Sequence, residues 1–172
     1  MNKSEVLNEI LESRFSCRSF KEKSIEDEKI EAILEAGRLA PTACNFEPER
    51  IIVLKYKDKI NKLKEATNYT FDAPVIFVIC YDKNVSWKRR NDGKDHGDID
   101  SSIVATQMAL MATSLDLGTC FVASFDEAKV KSILDLPENY VVSLMLPTGY
   151  PVEFKEHNKR LDLKELVIYK WK

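Results

Sequence analysis

The stretch from Ser13 to Phe20 reads SRFSCRSF and sets two arginines four residues apart, Arg14 and Arg18, with Ser16 between them. Guanidinium groups beside a hydroxyl suit an anion, because the planar guanidinium donates paired, charge-assisted hydrogen bonds to phosphate or carboxylate. The same pair could also be an ordinary solvated helix end. The segment therefore leaves two interpretations open, an anion site and a surface pair.

Three other segments carry polar side chains that could complete such a site. They are APTACNFEPE at 40–49, LGTCFVASF at 117–125 and HNKRLDL at 157–163. Taken alone, Thr42 and Asn45 beside Pro41 are typical of a turn. Lys159 and Arg160 are likewise typical of a solvated surface. Their meaning depends on whether folding brings these segments together.

Familiar catalytic motifs do not occur in the sequence. It contains no GxGxxG, no GxxxxGK[ST] and no GxSxG, and its two histidines, His96 and His157, lie in polar surroundings. A metal site at 96–100 is possible, but the polar, glycine-bearing loop favours solvated charge. We expect no metal, and we expect Asp98 and Asp100 to stabilise the start of the next helix. Any difficult chemistry should therefore come from a bound cofactor.

Composition restricts the class of protein. The 172 residues suit a single domain, 1–172, and 44% hydrophobic with 31% charged residues is ordinary for a globular chain. A net charge of −2 argues against nucleic-acid binding. The apolar run at 74–80 is too short to span a membrane, and the N-terminal residues lack the apolar core of a secretory signal. We therefore expect a cytoplasmic protein with free thiols and no membrane association.

Hydrophobic periodicity predicts helices that alternate with strands around one mixed sheet, an α/β or α+β class. The predicted helices are 4–13, 24–40, 58–66, 101–117, 126–135 and a short one opening 161–172, ahead of a basic tail. The predicted strands are 50–56, 73–82, 120–125 and 140–151, with a loop at 87–100. Strand 73–82 is apolar almost throughout, which is typical of a strand covered on both faces.

Local signals refine two of these helices. Ser24 is predicted as the N-cap of the second helix, and Gly118 as the C-terminal cap of the helix that begins at 101. In that helix the residues expected to follow the helical period are Ile103, Gln107, Leu110, Met111 and Ser114. Together with its small alanines and serines, they predict a central, mostly buried helix.

In this order and spacing, the segments resemble the nitroreductase family of flavin mononucleotide (FMN) oxidoreductases. The family's opening arginine–serine–arginine motif is similar to SRFSCRSF. Its segment proline–serine–x–x–asparagine–x–glutamine–proline–tryptophan, which runs into the first core strand, is similar to APTACNFEPERIIVL. DIDSSIVATQMALMATSLDLGTCFVASF resembles its central helix and next strand. LPTGYP and KRLDLKELV resemble its closing strand, turn and basic motif. The resemblance extends from about residue 10 to 168.

The resemblance implies an α+β fold, with a mixed, mainly antiparallel sheet flanked by helices, that forms an intertwined homodimer. It implies two FMN molecules at the subunit interface. It also implies that NAD(P)H reduces the flavin and that a nitro compound, quinone or similar small acceptor then oxidises it in the same pocket. The flavin N5 would carry the hydride, so no catalytic side chain is expected.

Residue roles follow from the same resemblance. It implies that Arg14, Ser16 and Arg160 hold the flavin phosphate. It implies that Arg18 reaches the pyrimidine end of the ring. It implies that Pro41, Thr42 and Asn45 line the ring and ribityl chain. It also implies that the segment with Val122, Ala123 and Ser124 offers backbone N–H groups to flavin N5 or small side chains under the ring.

One segment departs from the family pattern. Where the family has glutamine–proline–tryptophan, this chain has Glu47-Pro48-Glu49, which removes an apolar anchor and adds carboxylates. Together with a short segment between 82 and 98, this leaves an alternative open. The protein could be a flavin-binding redox sensor or flavin store without robust turnover.

Overall fold

The computed structural model describes residues 2–155 and 160–168. Predicted features at His157, Lys159 and the basic tail from 169 lie outside the described residues. The longer helices are α1 (Lys3–Ser13), α2 (Asp27–Arg38), α3 (Lys57–Leu63), α4 (Gly97–Ser114) and α5 (Glu127–Leu134), followed by a single turn, α6 (Leu163–Leu166). The strands are β1 (Glu49–Leu54), β2 (Val75–Asp82), β3 (Gly118–Thr119) and β4 (Tyr140–Gly149).

The four strands form one sheet in the order β1-β2-β4-β3, with every neighbouring pair antiparallel. A parallel contact enters through an isolated bridge between Ser16 and Thr119. The sheet is therefore mainly antiparallel with flanking helices, and the predicted α+β class is confirmed.

Strand β2 lies between two apolar layers, because its successive side chains point to opposite faces of the sheet. Val75, Phe77 and Ile79 join the layer that contains α2 and α4. Ile76 and Val78 join the layer on the other face, with residues from α3 and α5. The prediction of a strand covered on both faces is confirmed. No helix in the described residues is both long and apolar enough to cross a bilayer.

Helix α4 buries a different stripe from the one predicted. Its fully buried side chains include Val104, Ala105 and Met108, which pack against α2 and the sheet. Close packing here needs Gly37 of α2, where an added Cβ would lie 3.0 Å from Met108 Cγ. The predicted set beginning with Ile103 lies on the other side of the helix, half-buried or exposed. Both sides are apolar, so periodicity alone could not choose between them.

Three local predictions are wrong. Helix α2 begins after Glu26, so Glu26 and not Ser24 is the N-cap residue. The Glu26 carboxylate does not bond to the helix N–H groups and accepts a hydrogen bond from the Tyr150 hydroxyl at 2.5 Å. Gly118 does not cap α4. It pairs with Gly149 in the sheet, and the chain reverses before it through Asp116, at φ 62°. The strand predicted at 120–125 does not form. The observed strand, β3, ends at Thr119, and within 120–125 Val122 makes an isolated bridge.

Candidate functional site

Arg14, at the end of α1, is half-buried, and its guanidinium has no hydrogen bond or ion pair among the described residues. Burial lowers its pKa, and the positive charge of Arg160 lowers it further. Two residues 146 positions apart are thus close enough for their like charges to interact. A partly desolvated guanidinium beside a second cation is an environment that favours an anion.

Arg18 belongs to the same group. Burial raises the pKa of the Cys120 thiol, while the charges of Arg18 and Arg14 oppose that rise. Both guanidiniums therefore act on one buried thiol. The Arg18 guanidinium is exposed and makes a long hydrogen bond, 3.4 Å from Nη1 to the Ser16 carbonyl oxygen. The structure thus brings Arg14, Arg18 and Arg160 to one region, with Ser16 on the segment between the first two.

The segment that carries Ser16 is fixed by the backbone rather than by its side chains. The Cys17 N–H donates to the Thr119 carbonyl at 2.8 Å, and Ser16 pairs with Thr119 in the parallel bridge. Close approach is possible because residue 118 is glycine. A Cβ there would lie 2.6 Å from Cys17 Cβ. Gly118 therefore sets the position of the predicted phosphate-binding residues, a role that its predicted capping function did not anticipate.

The next residues extend this region along 119–124. The Val122 N–H donates to the Met145 carbonyl at 3.0 Å, which anchors the segment to β4. Ala123 and Ser124 are exposed. The Thr67 hydroxyl donates to the Ser124 carbonyl at 2.7 Å. Thr67 positions Ser124 without any signal in the sequence, because the two residues are 57 positions apart.

The loop at 41–47 contains the remaining predicted contacts, Pro41, Thr42 and Asn45. Three of its residues, Cys44, Asn45 and Glu47, have positive φ between 48° and 54°, a region that non-glycine residues adopt at a cost. Internal hydrogen bonds support this shape. The Glu47 N–H donates to the Thr42 hydroxyl at 3.1 Å, and the Asn45 amide donates to the Glu47 carboxylate at 3.0 Å.

Asp98 and Asp100 are predicted to precede α4 and to stabilise its start, and the predicted position before the helix is wrong. The helix begins at Gly97, so both lie in its first turn, where a negative charge is still favoured by the helix dipole. The Asp98 carboxylate accepts from the Ser143 hydroxyl at 2.7 Å. The Asp100 carboxylate accepts from the Ala43 N–H at 3.0 Å and so holds the 41–47 loop against the start of α4.

The predicted site is consequently divided between the two ends of α4. The loop contacts Asp100 in the first turn, whereas Phe15, next to Ser16, lines a cavity with Thr113 and Ser114 in the last turn. An α-helix rises 1.5 Å per residue, so these ends are about 20 Å apart along the axis. Within one chain, the arginine group and the loop group do not meet.

The described residues contain no group of three or more potential metal ligands. His96 precedes α4 and packs edge-on against Trp87, with ring centroids 4.6 Å apart. This packing gives His96 a structural role.

The acidic departure at 47–49 is partly buried. Burial raises the pKa of the Glu49 carboxyl, and the neighbouring charges of Asp100 and Glu47 raise it further. Glu49 Oε1 is buried and has no hydrogen-bond partner among the described residues. The Arg50 guanidinium does not compensate directly, because it donates to the carbonyl oxygens of Glu47 and Glu49. Glu49 therefore occupies a site that favours its neutral form.

A family model, two solved structures and one relative that are similar to this chain all carry the name nitroreductase. The model of the nitroreductase family matches residues 11–70 and 67–150. A solved nitroreductase family protein from Clostridium difficile 630 has a TM-score of 0.91 and 36% identity, over 99% of each chain. An FMN-dependent nitroreductase from Clostridium difficile R20291 has a TM-score of 0.80 and 28% identity, over 94% of this chain and 97% of that one. A relative from Methanothermobacter thermautotrophicus is 27% identical over 99% of this chain and 90% of its own. It carries the provisional name NADH dehydrogenase/NAD(P)H nitroreductase.

Proposed function

The chain belongs to the nitroreductase family, and we propose that it is an FMN-dependent oxidoreductase. It would take a hydride from NAD(P)H and pass the electrons to a nitro compound, a quinone or a similar small acceptor. The observation that carries the proposal is the half-buried guanidinium of Arg14, which has no hydrogen bond or ion pair among the described residues and which interacts with the charge of Arg160. A phosphate with nearly two negative charges suits that environment, since it supplies negative charge and several acceptor oxygens.

The residues of the arginine group suit the phosphate and one end of the flavin ring. Arg14, Arg160 and the Ser16 hydroxyl would hold the phosphate. Arg18, on the same segment, would place a cation at the pyrimidine end of the ring, where it favours negative charge. Ala123 and Ser124 are exposed on the segment that runs from Thr119 and would lie beside the ring.

Bound flavin would supply the hydride chemistry, and the protein's own groups would bind and orient it. This division of roles accords with the side chains present. Among the residues that the structure describes, the arginine group contains no histidine or carboxylate paired with a nucleophile, and Cys120 is buried with its pKa raised by that burial. A poorly ionised thiol is a weak nucleophile, so Cys120 is not expected to react.

We further propose that the working form is a homodimer in which each flavin is held by two chains. Support comes from the division of the predicted site between the two ends of α4, which a second copy in the opposite direction would resolve. Support also comes from the outer face of α4, where Ile99 and Ile103 are 42% and 36% exposed. Beside them, Gln107 Oε1 is buried without a partner among the described residues, as expected for a group that meets another chain.

The test is spectroscopic. The purified protein, supplied with FMN, should show visible flavin absorbance that bleaches with NADH or NADPH and returns when a nitro compound or quinone is added. Arg14→Ala should weaken FMN binding by about tenfold or more, since a charge-assisted hydrogen bond contributes about 1.5–3 kcal/mol. Arg38→Ala is the matched control, because Arg38 is an exposed arginine bound to Glu35. Failure to bind FMN, or equal affinity in both variants, would overturn the assignment.

The alternative function is a flavin sensor or store. It is favoured by the acidic character of residues 47–49 and by the pKa of the Glu49 carboxyl, which is raised mainly by burial. A carboxyl group in place of an apolar anchor could restrict access of a second substrate to the flavin. Steady-state turnover distinguishes the two functions. Flavin that is reduced by NAD(P)H but is not reoxidised by any of a panel of nitro compounds and quinones would favour the alternative.

A further inference from the structure

We propose that Asp100 is a positioning residue that holds the 41–47 loop in its flavin-binding conformation and thereby sets the affinity for FMN. The inference rests on the proposed function, because the loop matters only if Thr42 and Asn45 contact the cofactor. Asp100 itself lies in α4 and does not reach the arginine group at the far end of the helix. Asp100 would therefore act through the 41–47 loop and not by direct contact with the flavin that the arginine group of the same chain binds.

The first argument is that the loop needs an external anchor. Its three positive-φ residues are strained, and Phe46 is 49% exposed, so little burial opposes a change of shape. Within residues 41–46, the described hydrogen bonds either close the loop on itself or involve Asp100. The bond from the Ala43 N–H to Asp100 Oδ1, at 3.0 Å, is the one that ties this stretch to another element.

The second argument is the burial of Asp100, which is 2% exposed. Its Oδ2 is buried and has no partner among the described residues, so the carboxylate is desolvated for the sake of one accepted bond. Burial of this carboxylate costs free energy that packing does not return, although the helix dipole at the start of α4 favours its negative charge. Rigid placement on a long helix makes it an effective fixed point for a strained loop.

The chain supplies a matched control in Asp98. It lies in the same helical turn and carries the same charge, yet its carboxylate binds the Ser143 hydroxyl and does not contact the loop. Asp98→Ala and Asp100→Ala therefore remove equal charge from the start of α4, but only the second removes the loop anchor. In Asp100→Asn the amide oxygen can still accept from the Ala43 N–H, so this variant keeps the anchor without the charge.

The experiment is titration of full-length apoprotein with FMN, followed by flavin fluorescence. Asp100→Ala should raise the dissociation constant about tenfold or more, whereas Asp98→Ala and Asp100→Asn should stay within about threefold of wild type. Should Asp100→Ala fail to fold, Ala43→Pro removes the donor instead, at the first position of a short helical turn that tolerates proline. It should reproduce the loss of affinity.

A double-mutant cycle with Asn45→Ala separates positioning from general stability. If Asp100 acts through the loop, Asp100→Ala should weaken FMN binding much less in the Asn45→Ala background than in wild type. Fully additive effects, or an Asp100→Ala affinity equal to that of Asp98→Ala, would overturn the inference while leaving the proposed function intact. A wild-type protein that binds no FMN would overturn both.

Discussion

Gly118→Ala tests the close approach on which the phosphate-binding segment depends. The added Cβ would lie 2.6 Å from Cys17 Cβ and 2.8 Å from its sulfur. Ordinary contact between carbon atoms is about 3.5–4.0 Å, so one segment must move by about 1 Å. Both backbones are held by hydrogen bonds, and overpacking of this kind costs about 1–3 kcal/mol. For a chain of this size, Tm should fall by about 2–12 °C.

The same displacement should affect the cofactor more than it affects the fold. A shift of about 1 Å at Ser16 is enough to break a hydrogen bond to phosphate, and a charge-assisted bond contributes about 1.5–3 kcal/mol. The dissociation constant for FMN should therefore rise about 10- to 150-fold, measured by fluorescence titration alongside thermal unfolding.

A compensating variant makes this prediction specific. Because the clash involves the Cβ of Cys17, Cys17→Gly in the Gly118→Ala background should restore most of the affinity. Cys17→Gly alone measures the cost of a second glycine together with the loss of a buried side chain. Wild-type affinity and Tm in Gly118→Ala would refute the reasoning, and so would a double variant no better than the single one.

Three further outcomes are expected. Burial, and then the charges of Asp100 and Glu47, raise the pKa of the Glu49 carboxyl, so the stability from this group is greatest in acid and is lost as the pH rises toward neutral. Glu49→Gln should therefore raise Tm at neutral pH and leave it unchanged below the usual glutamate pKa, and a pH-independent effect would contradict this explanation. Ile103→Lys, on the outer face of α4, should give a monomer with weakened FMN binding in sedimentation and titration experiments; a flavin-loaded monomer would count against the two-chain site. Met108→Ala, at 0% exposure, should lower the free energy of unfolding by about 2–5 kcal/mol, far more than the same change at half-buried Met111.

The fold was largely predictable because its strongest signals are local. Strand β2 shows the unbroken apolar run of a strand between two layers, and α1, α3 and α5 show single apolar faces close to their predicted bounds. Helix α4 was harder, because it is apolar on two sides. A pattern of that kind shows that two surfaces are packed, but it does not say which one faces the chain's own sheet.

The site was predictable in composition but not in geometry. The arginines could be found from residue types and order, whereas the electrostatic interaction between Arg14 and Arg160 depends on chain folding across 146 positions. The role of Gly118 could not be predicted, since a glycine after a helix usually caps it, and here close approach to Cys17 decides instead. Asp100 looked like a helix-capping residue, and its bond to Ala43 is visible only in three dimensions.

The distance along α4 between the loop group and the arginine group has a consequence for mixed assemblies. In the proposed dimer, every chain would serve two different flavins, one with each end of this helix. Subunit exchange between Arg14→Ala and Asn45→Ala proteins would then collect both lesions at one flavin and leave the other flavin with wild-type contacts. Two parents with weakened FMN binding would form one wild-type site per mixed dimer, as a single-chain site could not.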